Sequence, residues 1–472
     1  MTLPAPRVVA AAIRGGCGKT TIALGLIAAG KRLGQSMIPF KKGPDYIDAG
    51  WLGQAAGREC YNLDPFLMTR EQIVKSFSYR AREGGLAVIE GNRGLFDGTD
   101  ESGAYSTAEL AKLLQAPVLL ILDCTKVTRT LAAIVQGCRV FDPELNLAGV
   151  VLNQVATSRQ ETLVRNVIER EGGVKVLGAV PRVKAHDLPE RHLGLVPYQE
   201  HPRVKASLDF LADLAQKHID LDRVWETARS APPLPESPAS AWVEPFPAAR
   251  PRVDIGIIRD SAFQFYYPEN LEALERLGAR LKIFSSLDAR RLPEVDALYL
   301  GGGFPETHAE SLANNEGLRS DILRASRAGL PIYAECGGLM FLGRSLVLKD
   351  SSFPMAGVFP VDFCLEKKPQ GHGYTIVSPD RDNPFYKPGE KLVGHEFHYS
   401  RPQPYDPDQV NLIFQVERGQ GFDQGRDGLV SRNTLGTYTH LHALGTTRWA
   451  EALVDLALGF RNHWPRARQE SN

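Results

Sequence analysis

The stretch Arg14-Gly-Gly-Cys-Gly-Lys-Thr-Thr21 limits what this chain can fold into more than any other part of the sequence. It follows a short apolar run, residues 8–13, and precedes an apolar segment, residues 22–29, which together predict a strand, a glycine-rich loop and a helix. Glycines allow successive backbone N–H groups to turn towards an anion, and the helix N-terminus adds a positive dipole. The stretch therefore predicts a phosphate-binding loop.

The side chains of this loop have separate expected roles. Lys19 would reach the terminal phosphates of a nucleotide, and the Thr20 hydroxyl would be a ligand of Mg²⁺. Ile13 stands where the common loop has glycine, and the loop resembles the deviant form of the dethiobiotin synthetase, MinD and nitrogenase iron protein superfamily. The predicted nucleotide-binding residues are Gly15, Gly16, Gly18, Lys19, Thr20 and Thr21.

Charge balance and cysteine spacing exclude several classes of protein. The 472 residues include 55 Lys plus Arg and 55 Asp plus Glu, so no basic field would attract nucleic acid. No apolar run approaches the roughly 18 to 20 residues that span a bilayer, and no signal sequence is evident. We therefore expect a cytoplasmic protein without nucleic-acid or membrane partners. The six cysteines lack C-x-x-C spacing, which argues against a zinc site, an iron–sulfur cluster or a disulfide framework.

Apolar runs alternate with helical patterns from residue 8 to about residue 200, which predicts a parallel sheet covered on both faces. The candidate strands are residues 8–13, 36–40, 86–90, 118–123, 147–152 and 175–180. Ligands of such sheets lie at the carboxyl ends of the strands. Asp45 and Asp48 follow the second candidate strand, and Glu90 and Asp97 follow the third. Carboxylates converging there beside a phosphate-binding loop predict a Mg²⁺ site.

The length predicts two or three domains, and a proline-rich segment marks the boundary. Its proline density prevents helix formation and sheet pairing. We predict an α/β nucleotide-binding domain of the P-loop type over residues 1–228, a linker over 229–251, a second α/β domain over 252–462 and a disordered tail over 463–472.

The second domain contains a cysteine at a predicted strand-to-helix turn. Residues 330–335 form an apolar run, Cys336 follows, and Gly337 and Gly338 open a helical segment. Small neighbours permit the strained backbone of a nucleophile elbow. We expect the helix N-terminus to lower the pKa of the Cys336 thiol and the Gly337 N–H to form part of an oxyanion hole. A second N–H donor would come from the turn of Gly301, Gly302 and Gly303.

A cysteine nucleophile needs a base, usually a histidine that is distant in sequence. His440 and His442 end a late β-rich stretch and lie one strand period apart, so they would share a face if the strand runs as far as His442. Periodicity does not choose between them.

Segments of both predicted domains match one known family in a single order: residues 40–48, 62–64, 94–98, 188–197, 266–271, 301–306, 333–340, 394–399 and 438–442. Over almost its whole length the chain thus resembles the glutamine-dependent cobyrinic acid a,c-diamide synthases. The resemblance implies an ATP-dependent amidoligase domain followed by a class I glutamine amidotransferase domain with a flavodoxin-like fold.

The resemblance also implies roles for individual residues. Cys336 would take the glutaminyl group and His440 would activate the thiol. Lys19 and Thr20 would bind ATP, Glu90 and Asp97 would hold Mg²⁺ with Thr20, and Asp45 and Asp48 would act on the phosphorylated intermediate. No third carboxylate is evident beside His440. The partners would be L-glutamine and a polycarboxylate tetrapyrrole, and free ammonia would need a closed path between the two sites.

Two positions depart from the family pattern. Lys42 stands where an apolar residue is common, and Arg93 replaces a methionine, so both loops gain a cation. Extra positive charge near the carboxylate-activating site could match a different arrangement of acetate and propionate groups. The substrate is then cobyrinate or a sirohaem or nickel sirohydrochlorin relative.

Two other classes of protein stay as alternatives. A partitioning ATPase of the MinD or ParA type would explain the loop but not Cys336, Gly302 and Gly303 or His440. A nucleotide-regulated reductase component would need paired cluster cysteines, which the sequence lacks. The order of amidations, the role of Cys17 and the oligomeric state are left open, a homodimer being one candidate.

Overall fold

The computed structural model describes residues 2–82, 84–182, 190–191, 194–235, 253–349 and 351–463. The chain forms two compact units, Met1–Val243 and Glu244–Asn472.

The first unit is built on a seven-stranded sheet whose neighbouring strands are all parallel. In chain order the strands are β1 (Arg7–Ala12), β2 (Met37–Lys42), β3 (Tyr61–Leu63), β4 (Leu86–Glu90), β5 (Val118–Asp123), β6 (Leu147–Val155) and β7 (Val176–Pro181). Their spatial order is β3-β2-β4-β1-β5-β6-β7. Strands β1, β2 and β4 are buried at every position, because a parallel sheet is covered on both faces.

Helices connect these strands. They are α1 (Lys19–Arg32), α2 (Tyr46–Ala56), α3 (Arg70–Ala81), α4 (Thr107–Leu113), α5 (Thr130–Phe141), α6 (Ser158–Val167), α7 (Val204–His218) and α8 (Leu221–Arg229). Helix α1 joins α7 and α8 in one apolar core with strand residues of the sheet. Gly25 of α1 lies against the backbone of Leu211 in α7, so the glycine allows close packing of these helices.

The second unit contains a ten-stranded mixed sheet among its described residues. Its strands are β8 (Val253–Ile258), β10 (Ala279–Phe284), β11 (Ala297–Leu300), β13 (Ile332–Glu335), β17 (Gly371–Pro379), β18 (Leu392–His398), β20 (Leu412–Arg418), β21 (Arg426–Ser431), β22 (Thr434–Thr437) and β23 (His440–Leu441). They lie in the order β10-β8-β11-β13-β22-β21-β20-β17-β18-β23, parallel up to β22 and antiparallel beyond.

Shorter elements complete this unit. A two-stranded ribbon pairs β9 (Phe263–Phe265) with β12 (Gly302–Gly303), and a four-stranded sheet contains β14 (Ser345–Leu348), β15 (Ser351–Pro354), β16 (Asp362–Leu365) and β19 (Ser400–Pro402). The helices are α9 (Pro268–Arg276), α10 (Ala309–Asn314), α11 (Glu316–Arg327), α12 (Gly337–Leu342) and α13 (Arg448–His463).

The predicted fold class is confirmed at the level of architecture, because a parallel α/β domain precedes a second α/β domain built on a mixed sheet. The candidate strands at 86–90 and 118–123 match β4 and β5. The three-residue strand β3 was not predicted because it is too short to show a hydrophobic period.

Only the first part of the predicted linker falls within the described residues. Arg229 ends α8, and Leu234–Pro235 pairs with Thr2–Leu3 at the edge of the first unit. The Arg7 guanidinium also donates to the carbonyl of Pro232 (2.7 Å). Residues 229–235 are thus attached to the first unit, whereas residues 236–251 and the predicted tail from residue 464 lie outside the described residues.

Candidate active sites

The phosphate-binding loop lies between the end of β1 and the start of α1. Gly18 precedes the helix with φ of 88°, a left-handed conformation that favours glycine. A methyl group on Gly18 would clash with the Asn153 side chain, which donates from Nδ2 to the carbonyl of Cys17 (2.9 Å). Asn153 therefore supports the loop from β6, which is separated from β1 by β5 in the sheet. Lys19 Nζ donates to the carbonyls of Arg93 (2.7 Å) and Arg14 (3.3 Å).

A buried ion cluster lies at the carboxyl ends of β2 and β4. Lys41 is 2% exposed, and its Nζ lies 2.6 Å from Asp48 Oδ2, 3.1 Å from Glu90 Oε2 and 3.9 Å from Asp45 Oδ2. The Thr20 hydroxyl donates to Glu90 Oε1 (2.6 Å). The structure thus brings together Thr20, Asp45, Asp48 and Glu90, as predicted from their positions at strand ends. Lys41, whose single amine faces Asp45, Asp48 and Glu90, was not predicted as a site residue.

The cluster holds carboxyl groups with altered proton affinity. Burial raises the pKa of Glu90, the charge of Lys41 opposes this and the charge of Asp48 adds to it, and the resulting pKa is about 7. Burial and the charge of Asp48 raise the pKa of Asp45. Burial opposes the charge on Lys41, but the carboxylates of Asp48, Glu90 and Asp45 outweigh it and raise the pKa of Lys41. Perturbed carboxyl groups at strand ends are typical of functional sites.

Asp97 is used within its own turn. Its Oδ2 accepts from the backbone N–H of Gly94 (2.9 Å), which is the contact of a turn-forming aspartate. In this arrangement Asp97 does not join Thr20 and Glu90, and its role as a metal ligand stays a prediction.

Lys42 and Arg93 occupy different environments. Lys42 is 5% exposed, and burial, only partly offset by the charge of Asp64, lowers the pKa of its amine. Arg93 has φ of 52°, and its carbonyl accepts from Lys19. Adjacent residues of a strand face opposite sides, so Lys41 and Lys42 serve different surroundings.

The hydroxyl and carboxylates beside the loop fit a hard divalent cation. Thr20 Oγ1 also lies 3.5 Å from Asp48 Oδ2, so one hydroxyl meets two carboxylates, the donor set that Mg²⁺ prefers with phosphate oxygens. Within the part of the chain that the structure describes, no group of three His, Cys, Asp or Glu side chains forms a metal cage.

Cys336 lies on the predicted nucleophile elbow between β13 and α12. Its backbone has φ of 48° and ψ of −100°, a strained conformation for a residue with a Cβ atom. Cys336 N donates to the carbonyl of Thr437 at the end of β22 (2.8 Å). Strands β13 and β22 are parallel neighbours, with Glu335 opposite Thr437. Their ends, and the residues that follow them, therefore meet at one edge of the sheet.

The glycine pair of β12 lies between the elbow and His440. A methyl group on Gly302 would come within 2.6 Å of His440 Cε1, and a methyl group on Gly337 would come within 3.0 Å of Gly303 N. Gly301 N–H donates to the Tyr266 hydroxyl (2.8 Å) and so is committed elsewhere. Gly302, Gly303, Gly337, Cys336 and His440 thus lie in one place, and the role of the glycine N–H groups as an oxyanion hole stays a prediction.

His442 has a different environment from His440. Its Nδ1 accepts from Leu444 N (3.3 Å), its Nε2 faces Glu269 Oε2 at 3.5 Å, and its ring meets the Tyr267 ring edge-on. Of the two candidates that periodicity left open, His440 is the one beside the glycine pair.

One expectation for Cys336 is wrong. Burial, with the charge of Glu306 next, raises the pKa of the thiol, whereas the helix N-terminus was expected to lower it. Helix α12 has six residues, and its dipole does not offset the removal of the thiol from water. The resting group is therefore a thiol and needs a base.

Comparison with known proteins identifies both domains. Residues 8–196 match the CobQ/CobB/MinD/ParA nucleotide binding domain, and residues 254–447 match the CobB/CobQ-like glutamine amidotransferase domain. The chain is 44% identical over 452 residues to a cobyrinate a,c-diamide synthase of Magnetococcus marinus, with 95% of this chain and 96% of the relative covered. It is 42% identical to that of Archaeoglobus fulgidus, covering 96% and 98%, and 39% identical to that of Listeria innocua, covering 92% and 96%.

The chain belongs to the cobyrinate a,c-diamide synthase family. This confirms the family inferred from the sequence. As a member with both domains, the chain is a ligase that forms C–N bonds with glutamine as nitrogen donor, and its nucleotide-binding domain implies that it uses ATP. No helix in the described part of this family member is long and apolar enough to cross a membrane.

Several polar residues around His440 in this family member were not predicted. Nδ1 of His440 meets Glu335 Oε2 (3.2 Å), and the His440 ring stacks on that of His395 with centroids 4.9 Å apart. His395 Nε2 in turn meets the Tyr267 hydroxyl (2.8 Å). Residues 394–399 were noted only as a matching segment. The signal that could have found His395 is its position in a histidine-rich strand, but nothing in the sequence shows that this strand pairs with β23.

A buried aspartate supports the segment that leads to His440. Asp427 Oδ2 accepts from the hydroxyls of Thr437 (2.7 Å) and Thr439 (3.1 Å) and from Thr439 N (3.1 Å), and its Oδ1 accepts from Tyr438 N (3.1 Å). Asp427 thereby fixes the backbone between β22 and the histidine.

Proposed function

We propose that the chain amidates the a and c acetate carboxylates of cobyrinate, with ATP to activate each carboxylate and glutamine to supply ammonia. The observation that carries this proposal is the joint assembly of Cys336, His440 and the glycine pair in one domain and of Thr20, Glu90 and Lys41 in the other. Relatives that span nearly the whole chain are named for this reaction. The pathway would be cobalamin biosynthesis.

Glutamine hydrolysis would use Cys336 as nucleophile. His440 takes the thiol proton as sulfur attacks the amide carbon, and the N–H groups of Gly337 and Gly303 stabilise the oxyanion. Collapse of this intermediate breaks the C–N bond, and the proton on His440 goes to the leaving ammonia. Water then hydrolyses the thioester and releases glutamate. Because burial raises the pKa of the thiol, the attack would depend on a base that takes its proton.

Carboxylate activation would take place at the other site. A substrate carboxylate oxygen attacks the γ-phosphorus, ADP leaves, and ammonia then attacks the acyl carbon of the acyl phosphate and displaces phosphate. Lys19 and the N–H groups of Gly15, Gly16 and Gly18 would hold the phosphates, with Thr21 at the start of the helix. Lys41, with Asp45 and Asp48, would position the phosphorylated carboxylate.

Thr20, Glu90 and Asp48 are the residues that would hold Mg²⁺. When bound, the cation would neutralise charge on the β- and γ-phosphates during transfer.

The substrate is tested by mass spectrometry of the product formed with ATP, Mg²⁺ and glutamine, with cobyrinate, sirohaem and nickel sirohydrochlorin offered in parallel. Two acid-to-amide conversions on cobyrinate support the proposal. Amidation of only another macrocycle would keep the chemistry and reassign the substrate to the alternative raised by Lys42 and Arg93. ATP hydrolysis without amidation of any macrocycle would contradict the proposal.

The acyl phosphate is tested separately with cobyrinate whose carboxylates carry ¹⁸O. The proposed route transfers one substrate oxygen to inorganic phosphate for each amide formed. Phosphate without ¹⁸O would contradict an acyl-phosphate intermediate.

A further inference from the structure

Glu335 is a fully buried carboxylate beside the candidate base. Its exposed fraction is 0%. Its Oε2 lies 3.2 Å from His440 Nδ1 and accepts from the Tyr299 hydroxyl (3.3 Å), and its Oε1 accepts from Leu441 N (3.4 Å). Both carboxylate oxygens therefore have partners, as burial requires.

Among these partners, His440 is the group that can carry a positive charge. An ionised carboxylate in the protein interior favours a cation at its side, because the interior screens charge poorly. Glu335 would thus stabilise the imidazolium that forms when His440 accepts a proton.

The two nitrogens of His440 face different surroundings. Nδ1 is held by Glu335, whereas a methyl group on Gly302 would lie 3.3 Å from Nε2. Gly302 belongs to the strand that contacts the elbow at Gly337. The carboxylate and the elbow therefore lie on different sides of the ring, as a relay from thiol to imidazole requires.

The side chain of Asn270 helps to fix Glu335 and His440 relative to each other. Asn270 Nδ2 donates to the Tyr299 hydroxyl (3.3 Å) and to the carbonyl of Leu441 (2.9 Å), and Asn270 Oδ1 accepts from Ala443 N (2.7 Å). Asn270 is 0% exposed. Its hydrogen bonds connect the Tyr299 hydroxyl, which bonds Glu335, to the strand that contains His440.

We propose that Glu335 is the positioning carboxylate of the glutaminase site. It accepts from the Nδ1–H of His440, fixes the tautomer whose Nε2 takes the proton of Cys336, and stabilises the resulting imidazolium. The third member of the site is thus the residue that directly precedes the nucleophile. Residues 433–446, which surround His440 in sequence, contain no acidic residue. This inference rests on the proposed function of Cys336 and His440.

The test is Glu335→Gln in the full-length enzyme, with glutamine and with ammonium as alternative nitrogen sources. Loss of a triad carboxylate costs up to about 10⁴-fold in rate, so we expect a large glutamine-dependent loss and retention of ammonia-dependent amidation. We also expect the pH profile for glutamine hydrolysis to shift, since the His440 ring loses the carboxylate that faces its Nδ1. A purely structural role would not produce that shift.

Glu269→Gln is the matched control, because Glu269 is another buried glutamate that faces a histidine, His442. It should retain glutamine-dependent activity within a few fold. Glutamine-dependent activity of Glu335→Gln equal to that of the control would overturn the inference while leaving the proposed function intact. Full glutamine-dependent activity in Cys336→Ala would instead overturn the proposed function.

Tyr299→Phe gives a second measurement should Glu335→Gln fail to fold. It removes one donor to Glu335 and little volume, so we expect a several-fold loss of the glutamine-dependent rate alone. Tyr386→Phe is its control, because this buried hydroxyl bonds Tyr333 and not Glu335. Equal glutamine-dependent rates for the two variants would overturn the inference.

Discussion

Nδ1 of His440 lies 3.2 Å from Oε2 of Glu335, although 105 positions separate the two residues in sequence. The contact follows from the parallel pairing of β13 with β22, which places Glu335 opposite Thr437. His440 follows Thr437 by three residues, and Cys336 follows Glu335 at the end of β13. Cys336, His440 and Glu335 are therefore positioned by one strand pair.

Gly302→Ala should inactivate the glutaminase site selectively. The added methyl group would meet His440 Cε1 at 2.6 Å, closer than real carbon contacts, so the ring must move. Displacement of a catalytic group by about 1 Å costs roughly 100-fold, and we expect a loss of at least this size in glutamine-dependent rate. Ammonia-dependent amidation is the internal control. Glutamine-dependent activity near that of the wild type would show that the ring does not need this space.

Alkylation of Cys336 should accelerate with pH throughout the range from pH 7 to 9. Because burial raises the pKa of the thiol, the thiolate fraction is small at neutral pH and rises about tenfold per pH unit. The measurement is the rate at which iodoacetamide abolishes glutamine-dependent activity, with peptide mass spectrometry to distinguish Cys336 from the partly exposed Cys364. A rate that is constant above pH 7 would mean a resting thiolate and contradict this expectation.

Glu90→Gln should change how the stability of the first unit depends on pH. The pKa of Glu90 is raised from its ordinary 4.5 to about 7, so the folded state holds this proton more tightly than the unfolded chain. The free energy of unfolding of the wild type therefore falls as pH rises from about 4.5 through 7. The Glu90→Gln side chain does not titrate and so removes this fall, whose upper bound is about 3 kcal/mol.

Calorimetry at pH 5 and pH 8 measures this effect, with the transition of the first unit identified by its shift on adding ATP. The melting temperature of Glu90→Gln, relative to that of the wild type, should be higher at pH 8 than at pH 5. Glu71→Gln, at an exposed glutamate of α3, is the control and should show no such gain. Parallel pH dependences for the wild type and Glu90→Gln would contradict the assigned protonation.

Asp427→Asn should lower both stability and glutaminase activity. In the wild type, donors from Thr437, Tyr438 and Thr439 share the Asp427 carboxylate. Asparagine would place an NH₂ group against some of these donors, and each buried polar group left without a partner costs about 1–3 kcal/mol. We expect a lower melting temperature and a lower glutamine-dependent kcat, since the backbone from Thr437 to His440 loses its anchor. Asp423→Asn, which affects only the bond from the Tyr405 hydroxyl, is the control. A variant as stable and active as this control would show that Asp427 does not position His440.

The sequence was informative wherever the signal is local. The glycine-rich loop, the long apolar strands and the Cys336 turn are each encoded within about ten consecutive residues, and the structure has them where the patterns predict. Fully buried parallel strands also show continuous apolar runs, which is why β4 and β5 could be bounded to the residue.

The remaining site residues depend on tertiary pairing. Glu335 meets His440 only because β13 pairs with β22, and His395 meets His440 only because β18 pairs with β23. Similarly, Lys41 and Lys42 are adjacent in sequence, and only the orientation of β2 shows which amine lies among the carboxylates. The pKa of Cys336 was predicted in the wrong direction because burial depends on the surrounding fold, whereas the helix dipole is visible from the sequence.

The central claim is that amide nitrogen is released at Cys336 and used at a separate ATP-dependent site. The most direct measurement supplies glutamine labelled with ¹⁵N in the amide, together with unlabelled ammonium, ATP and Mg²⁺, and determines the isotope in amidated cobyrinate. Wild-type enzyme should incorporate ¹⁵N, and Cys336→Ala should form the same product with ¹⁴N only. Incorporation of ¹⁵N by Cys336→Ala would contradict the account, because glutamine would then be cleaved without the proposed nucleophile.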